Sequence, residues 1–144
     1  MNWKTIETKE DIEELMIHFG GFHDSCIKEL SYQTGTFVDH ELGMNVANKP
    51  SLRILFQRQS PELPAVELEF FRMVEAHLRS RAYHHDTVIF GATFYLSPDG
   101  IWWADQVNWD HTDAHRDDAT WIRSKCLRWR KCDNHLGAEA TLRK

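Results

Sequence analysis

The stretch from Trp102 to Asp118 concentrates side chains that could do chemistry. Asp105, Asp110, Asp113, Asp117 and Asp118 supply carboxylates, His111 and His115 supply imidazoles, and Trp102, Trp103 and Trp109 supply contact area. Carboxylate oxygens and imidazole nitrogens suit zinc, manganese or iron, and a catalytic metal needs about three such ligands plus an open position. The spacing Asp110-His111-x-Asp113-x-His115 matches neither the helical histidine pair of zincins nor the calcium loop, whose glycine and closing glutamate are missing. Asp and Asn in a loop also make turns by bonding their own backbone. On that reading no metal and no cofactor is bound, and the stretch is a recognition surface facing water. Its candidate binding residues are Asp105, Trp109, Asp110, His111, Asp113 and His115. Five Asp face one Arg, Arg116, and unpaired ions are expensive to bury. Trp109 is either an anchor for a partner or a pin that holds the loop to the core.

A second constellation is Phe22-His23-Asp24-Ser25. His beside Asp beside Ser invites a relay, but adjacent residues of an extended chain point to opposite sides. Polar side chains at such a corner more often bond backbone groups, so His23 and Asp24 read as a structural junction. The rival reading gathers His23, Asp24, Asp105, His111 and His115 into a metal-dependent hydrolase. His84-His85-Asp86 becomes chemically interesting only if folding brings it to the same place. No glycine-rich phosphate loop is present.

The whole chain bounds these readings. Its 144 residues suit one domain, 1–144, with a core of its own, and 42% hydrophobic with 27% charged residues is ordinary for a globular chain. The aromatic share of 12%, with six Trp, points to a dense core, a binding surface or both. A third functional reading, a small-molecule domain with an aromatic-lined pocket, follows from it. The net charge of −5 makes nucleic acid an unlikely partner and a basic protein a better one. Acidic residues crowd the start (Glu7, Glu10, Asp11, Glu13, Glu14), and basic ones crowd residues 123–131. Those basic residues, interleaved with Trp121 and Trp129, read as an edge strand protected against aggregation rather than a base-stacking platform. Cys26, Cys126 and Cys132 are too scattered for a disulfide framework or a Cys-x-x-Cys zinc site. Without a signal-like start or a membrane-length apolar run, the expected location is cytoplasmic.

The elements that must position these residues are a helix and several strands. Thr8 with Asp11 resembles a capping box, and Ile12, Leu15, Met16 and Phe19 follow at helical spacing until Gly20-Gly21. This predicts a helix over residues 9–19 with those four side chains on the sheet. From there the period is two. Val38, His40, Leu42, Met44 and Val46 predict a half-buried strand, as do residues 52–57, 66–70, 87–96 and 101–103, separated by turn signals. Residues 71–85 fit a strand or a short helix. Residues 119–131 fit either as well, and Thr120-Trp121-Ile122 favours a strand with Trp121, Leu127 and Trp129 on one face. The expected class is α+β: an N-terminal helix packed on a largely antiparallel six- or seven-stranded meander sheet.

The string Gly21-Phe22-His23-Asp24-Ser25-Cys26-Ile27 after a short helix resembles small uncharacterised bacterial proteins, some of them immunity-protein-like. Residues 121–130, from Trp-Ile-Arg to Leu-Arg-Trp-Arg, are similar to their closing strand. The resemblance implies an α+β fold and binding rather than catalysis, and it transfers no catalytic residue. Together with the charge it leads to a non-enzymatic binding protein, in one form an immunity-type toxin inhibitor that meets a basic protein by charge complementarity.

Overall fold

One helix lies on one face of a seven-stranded antiparallel sheet in the computed structural model, which describes residues 2–80, 87–133 and 135–142. The strands are β1 (Lys4–Ile6), β2 (Ser25–Gln33), β3 (Phe37–Val38), β4 (Met44–Asn45), β5 (Ser51–Arg58), β6 (Ala65–His77), β7 (Thr93–Ser97), β8 (Gly100–Ala104) and β9 (Trp121–Lys131). The helix α1 spans Lys9–His18. Neighbours across the sheet run β2-β5-β6-β9-β8-β7, and β1 also pairs with β9. The α+β class and the antiparallel sheet are therefore as expected, with one departure from sequential order. The last strand in the chain is inserted at the centre. β6 runs along one side of β9, and its other side is shared between β8, opposite residues 121–124, and β1, opposite residues 127–129.

Local chemistry explains α1. Asp11 N–H donates to Thr8 Oγ1 at 3.1 Å, and Thr8 N–H donates back to Asp11 Oδ2 at 3.0 Å, so the capping box closes. Ile12, Leu15 and Phe19 are buried and Met16 packs partly against them. Phe19 and Phe22 continue into an aromatic core with Phe56 and Trp103, the rings meeting edge-on or tilted at centroid distances of 4.9–6.4 Å. Alternation within the strands separates the two faces. Leu52, Ile54 and Phe56 of β5, Val66, Leu68 and Phe70 of β6, and Leu127 and Trp129 of β9 join the helix-covered core.

The strands answer the open sequence questions. β6 extends through His77, so 71–77 is strand; residues 81–86, with His84, His85 and Asp86, lie outside the described residues. Residues 121–131 are strand, but Trp121 packs in a different cluster from Leu127 and Trp129. Ile122 shares the core with Leu127 although the two have opposite parity, so the pleat changes side between them. Nor is β9 an edge. Its Arg128 and Arg130 bond Glu69 and Glu67 of the adjacent strand at 2.8 Å, so they are neutralised within the sheet instead of guarding a rim.

Two predicted strands are shorter than their patterns. In residues 87–96 only 93 onward is strand. Before it, Ile89 makes a single antiparallel bridge to the start of β2, its N–H donating to Ser25 O at 2.7 Å, and Ala92 N–H donates to Gly21 O at 3.1 Å, so the segment ties to the corner without forming a ladder. Residues 38–46 form the turn of a small ribbon, β3–β4, because Asp39 gathers the chain around itself. Its Oδ1 accepts from Glu41 N–H and Gly43 N–H at 3.0 and 2.8 Å, and its Oδ2 accepts from Asn45 Nδ2 at 3.0 Å.

The sheet face opposite α1 carries three patches. Leu55, Ala65 and Cys132 are covered by Ala140 and Leu142. Next comes an ionic ladder: Glu67, only 2% exposed, is paired with Arg53 and Arg130, and Trp3 lies against the guanidinium groups of Arg128 and Arg130 at 4.3 and 4.4 Å. The third patch is a tryptophan cluster under the 105–118 loop.

Candidate recognition surface

The third patch is built from β7, β8 and β9. Tyr95, Trp102 and Trp121 point away from the helix, and Trp109 descends from the loop to join them. Trp102, Trp109 and Trp121 are 3, 7 and 2% exposed, with ring centroids 5.8–6.0 Å apart. Each indole N–H has a partner. Trp102 Nε1 donates to Ser97 Oγ, Trp109 Nε1 to Arg116 O and Trp121 Nε1 to Asp117 Oδ1, all at 2.9 Å. Trp109 is therefore the pin of the loop.

The loop is closed at its base and braced within. Asp105 N–H donates to Thr120 O at 3.0 Å, and Thr120 N–H donates to Asp105 Oδ1 at 2.9 Å. Thr93 Oγ1 accepts from Trp109 N–H at 3.0 Å and donates to Gln106 O at 2.6 Å. Arg116 spans the interior: its Nη1 donates to His111 O at 3.2 Å and its guanidinium lies 4.9 Å from the Trp121 ring centre. His111 stacks on Trp102 at 4.4 Å with 15° between planes, and its Nδ1 is 2.5 Å from Tyr95 Oη. The same hydroxyl accepts from His111 N–H at 3.1 Å. Burial pushes the Tyr95 hydroxyl upward in pKa, the hydrogen bond from His111 partly offsets this, and nearby Asp110 adds to it.

The outward side is polar. Asp110 Oδ1 accepts from Thr112 N–H and Thr112 Oγ1, both at 2.8 Å, and Asp113 Oδ1 accepts from His115 N–H at 2.8 Å. These are turns made by Asp on its own backbone. The Thr112 backbone bond, then its hydroxyl, hold the Asp110 carboxyl below the ordinary value. Asp110, Asp113, His115, Asp117 and Asp118 all stand in water. Of the six candidate residues, Asp105 and Trp109 thus build the loop, His111 lies half-buried in its wall, and Asp110, Asp113 and His115 are presented outward.

His23 and Asp24 sit elsewhere, on the corner between α1 and β2. His23 Nδ1–H donates to Phe90 O at 2.7 Å, its Nε2 is 3.3 Å from Asp24 Oδ2, and Ser25 Oγ donates to Phe22 O at 2.6 Å. Asp24 O accepts from Gln59 N–H at 3.4 Å, and Asp24 itself adopts φ 55°, a left-handed conformation that Asp tolerates better than most residues. Among the described residues no three His, Cys, Asp or Glu side chains converge where they could hold a metal ion. A cleft of about 560 Å³ opens on β9 between β8 and β1, and Phe71 is the one aromatic residue of its lining.

The sequence reading missed Tyr95, Thr93 and Arg116, which fix the loop. It also missed the ladder of Glu67 and Glu69 against Arg128 and Arg130, although opposite charges at period two in both strands were the available signal. No helix among the described residues is long and apolar enough to cross a membrane. No protein-family model, curated protein or solved structure matches this chain.

Proposed function

We propose that this chain is a non-enzymatic binding protein whose 105–118 loop receives a basic protein. One observation carries the reading: the loop turns its tryptophan inward and its carboxylates outward, so a rigid acidic surface faces water. Preorganisation matters because ordering a loop on binding consumes affinity, and here Trp109, Arg116 and the Asp105–Thr120 pair hold the shape beforehand. Asp117 and Asp118 are paired with Arg116 and Arg79 at 3.9 and 3.8 Å, so the outward charge is carried by Asp110 and Asp113. Their field reaches about one Debye length, roughly 8 Å at physiological salt, and acts mainly on the association rate. The Phe22–Ile27 resemblance gives the finer form of the proposal, an immunity-type inhibitor whose partner is a basic toxin. That no three His, Cys, Asp or Glu side chains converge among the described residues favours this over a metal-dependent hydrolase.

The test is kinetic. A partner captured from cells that make the chain is purified, and its association rate is followed as salt is raised. Replacing both residues, Asp110→Asn and Asp113→Asn, should slow association and flatten the salt dependence while leaving the unfolding midpoint in place. An unchanged rate and slope, or a hydrogen-exchange footprint that avoids residues 105–118, would overturn the assignment.

A further inference from the structure

The β3–β4 ribbon carries an apolar surface that no other described residue of its own chain buries. Phe37, Val38, Leu42, Met44 and Val46 are 59, 53, 86, 66 and 69% exposed. Val38 and Met44 are register partners, so their side chains share one face of the ribbon. The period-two pattern of residues 38–46 is that of a half-buried strand, yet the half that should be buried meets water. The arm is not loose: Asp39 fixes its tip, and Lys49 N–H donates to Thr34 O at 3.3 Å across its base.

At the same end of the sheet lies an apolar groove of about 360 Å³, lined by Leu30, Tyr32, Leu52, Met73, Val74 and Leu78. Tyr32, Val74 and Leu78 are 53, 42 and 59% exposed. Tyr32 and Leu52 pair across β2 and β5 at the point where the chain leaves for the arm and returns. Projection and recess thus have the same chemistry and a common root.

We infer that two copies of this chain dimerise by reciprocal exchange, the β3–β4 arm of each seated in the groove of the other. A two-fold axis satisfies both contacts at once, as one patch serving both subunits requires. The size is right. Eight large side chains, Tyr32, Phe37, Val38, Leu42, Met44, Val46, Val74 and Leu78, are at least 42% exposed. At roughly 100 Å² each they offer on the order of 800 Å² per copy, the half-interface of a standard stable complex. The groove's one charged lining residue, Glu75, is 3.9 Å from Arg123, which offsets its charge. The arm's fixed shape keeps the ordering cost of docking low. The groove borders the 105–118 loop, since next to Leu78 the His77 Nε2 lies 3.1 Å from Asp117 O and Arg79 is 3.8 Å from Asp118, but none of the eight side chains belongs to that loop.

Sedimentation velocity over a wide concentration range tests this, using Met44→Glu in the arm and Val74→Glu in the groove. Both positions are exposed, so near-ultraviolet dichroism should show each variant folded. The intact chain should move from one to two copies as concentration rises, and each variant should dimerise at least about tenfold more weakly, since a charge is forced into an apolar contact. An equimolar mixture of the two should associate more than either alone, because one intact arm then meets one intact groove. A chain that stays monomeric throughout overturns the proposal and gives the arm to a different protein. Dimers abolished by Met44→Glu but untouched by Val74→Glu overturn it in favour of arm-to-arm pairing.

Discussion

Tyr95 ties the loop to the sheet through a single oxygen, and that oxygen titrates. Burial raises its pKa above the ordinary 10.0, so the fold favours the neutral hydroxyl. The stabilisation is complete below about pH 10 and fades as pH climbs through the folded value, because the unfolded chain releases the proton first. A late component in the tyrosinate absorbance is expected, and Tyr95→Phe should remove it; its persistence would place the raised hydroxyl elsewhere. Glu67 is the stricter test of burial. It is shared by Arg53 and Arg130, and Glu67→Ala leaves Arg130 without its carboxylate and Arg53 with only Glu69 at 3.9 Å; breaking a buried pair typically costs about 3–5 kcal/mol. A urea-unfolding loss under about 1 kcal/mol would show the ladder to be solvated. At this scale the sequence was readable where a residue type has one common use, as with Asp110 and Asp113 making turns. It was silent on direction: nothing in the order of residues says that Trp109 points inward, because that depends on Trp102 and Trp121 arriving from two other strands.

Among the elements, α1 was the most legible because its determinants are local. Thr8→Ala should cost about 1 kcal/mol, the usual value of an N-cap. Asp11 makes the same cap pH-dependent. The Glu7 and Thr8 backbone bonds lower its carboxyl below 3.8, so the cap's contribution is present above that value and lost as pH falls through the folded pKa. Urea midpoints taken toward pH 2 should therefore fall more steeply for the intact chain than for Asp11→Asn. Equal slopes would mean the carboxylate is not in the cap. Strands were harder to read because periodicity reports a face and not its neighbour. The pattern of residues 38–46 was read as burial in this chain's own core, whereas Asp39 folds it into an exposed ribbon. The basic pattern of β9 suggested a rim, whereas pairing with β6 puts it at the centre. Which strand lies beside which is decided by contacts between distant residues, and composition within a strand is blind to them.

At the scale of the whole molecule, β9 is the common wall of both halves. Removing residues 121–131 should abolish the cooperative unfolding transition rather than shift it, since β6, β8 and β1 all lose their neighbour. A truncated chain that kept a sharp transition would mean that one half of the sheet is self-sufficient. The position of this strand also bears on how the protein is made. Chains emerge from the ribosome in sequence order, and elements usually fold as they appear. Here β1 emerges long before β9, its sheet partner among the described residues, and must wait for it to pair. In the sheet's ladder of described strands the two fragments are joined by β9, so the apolar faces of β5, β6 and β8 stay incompletely covered until it is made. A nascent chain with this topology depends on whatever shields hydrophobic surface at the ribosome exit, and slowing translation should lengthen its exposure rather than help it fold.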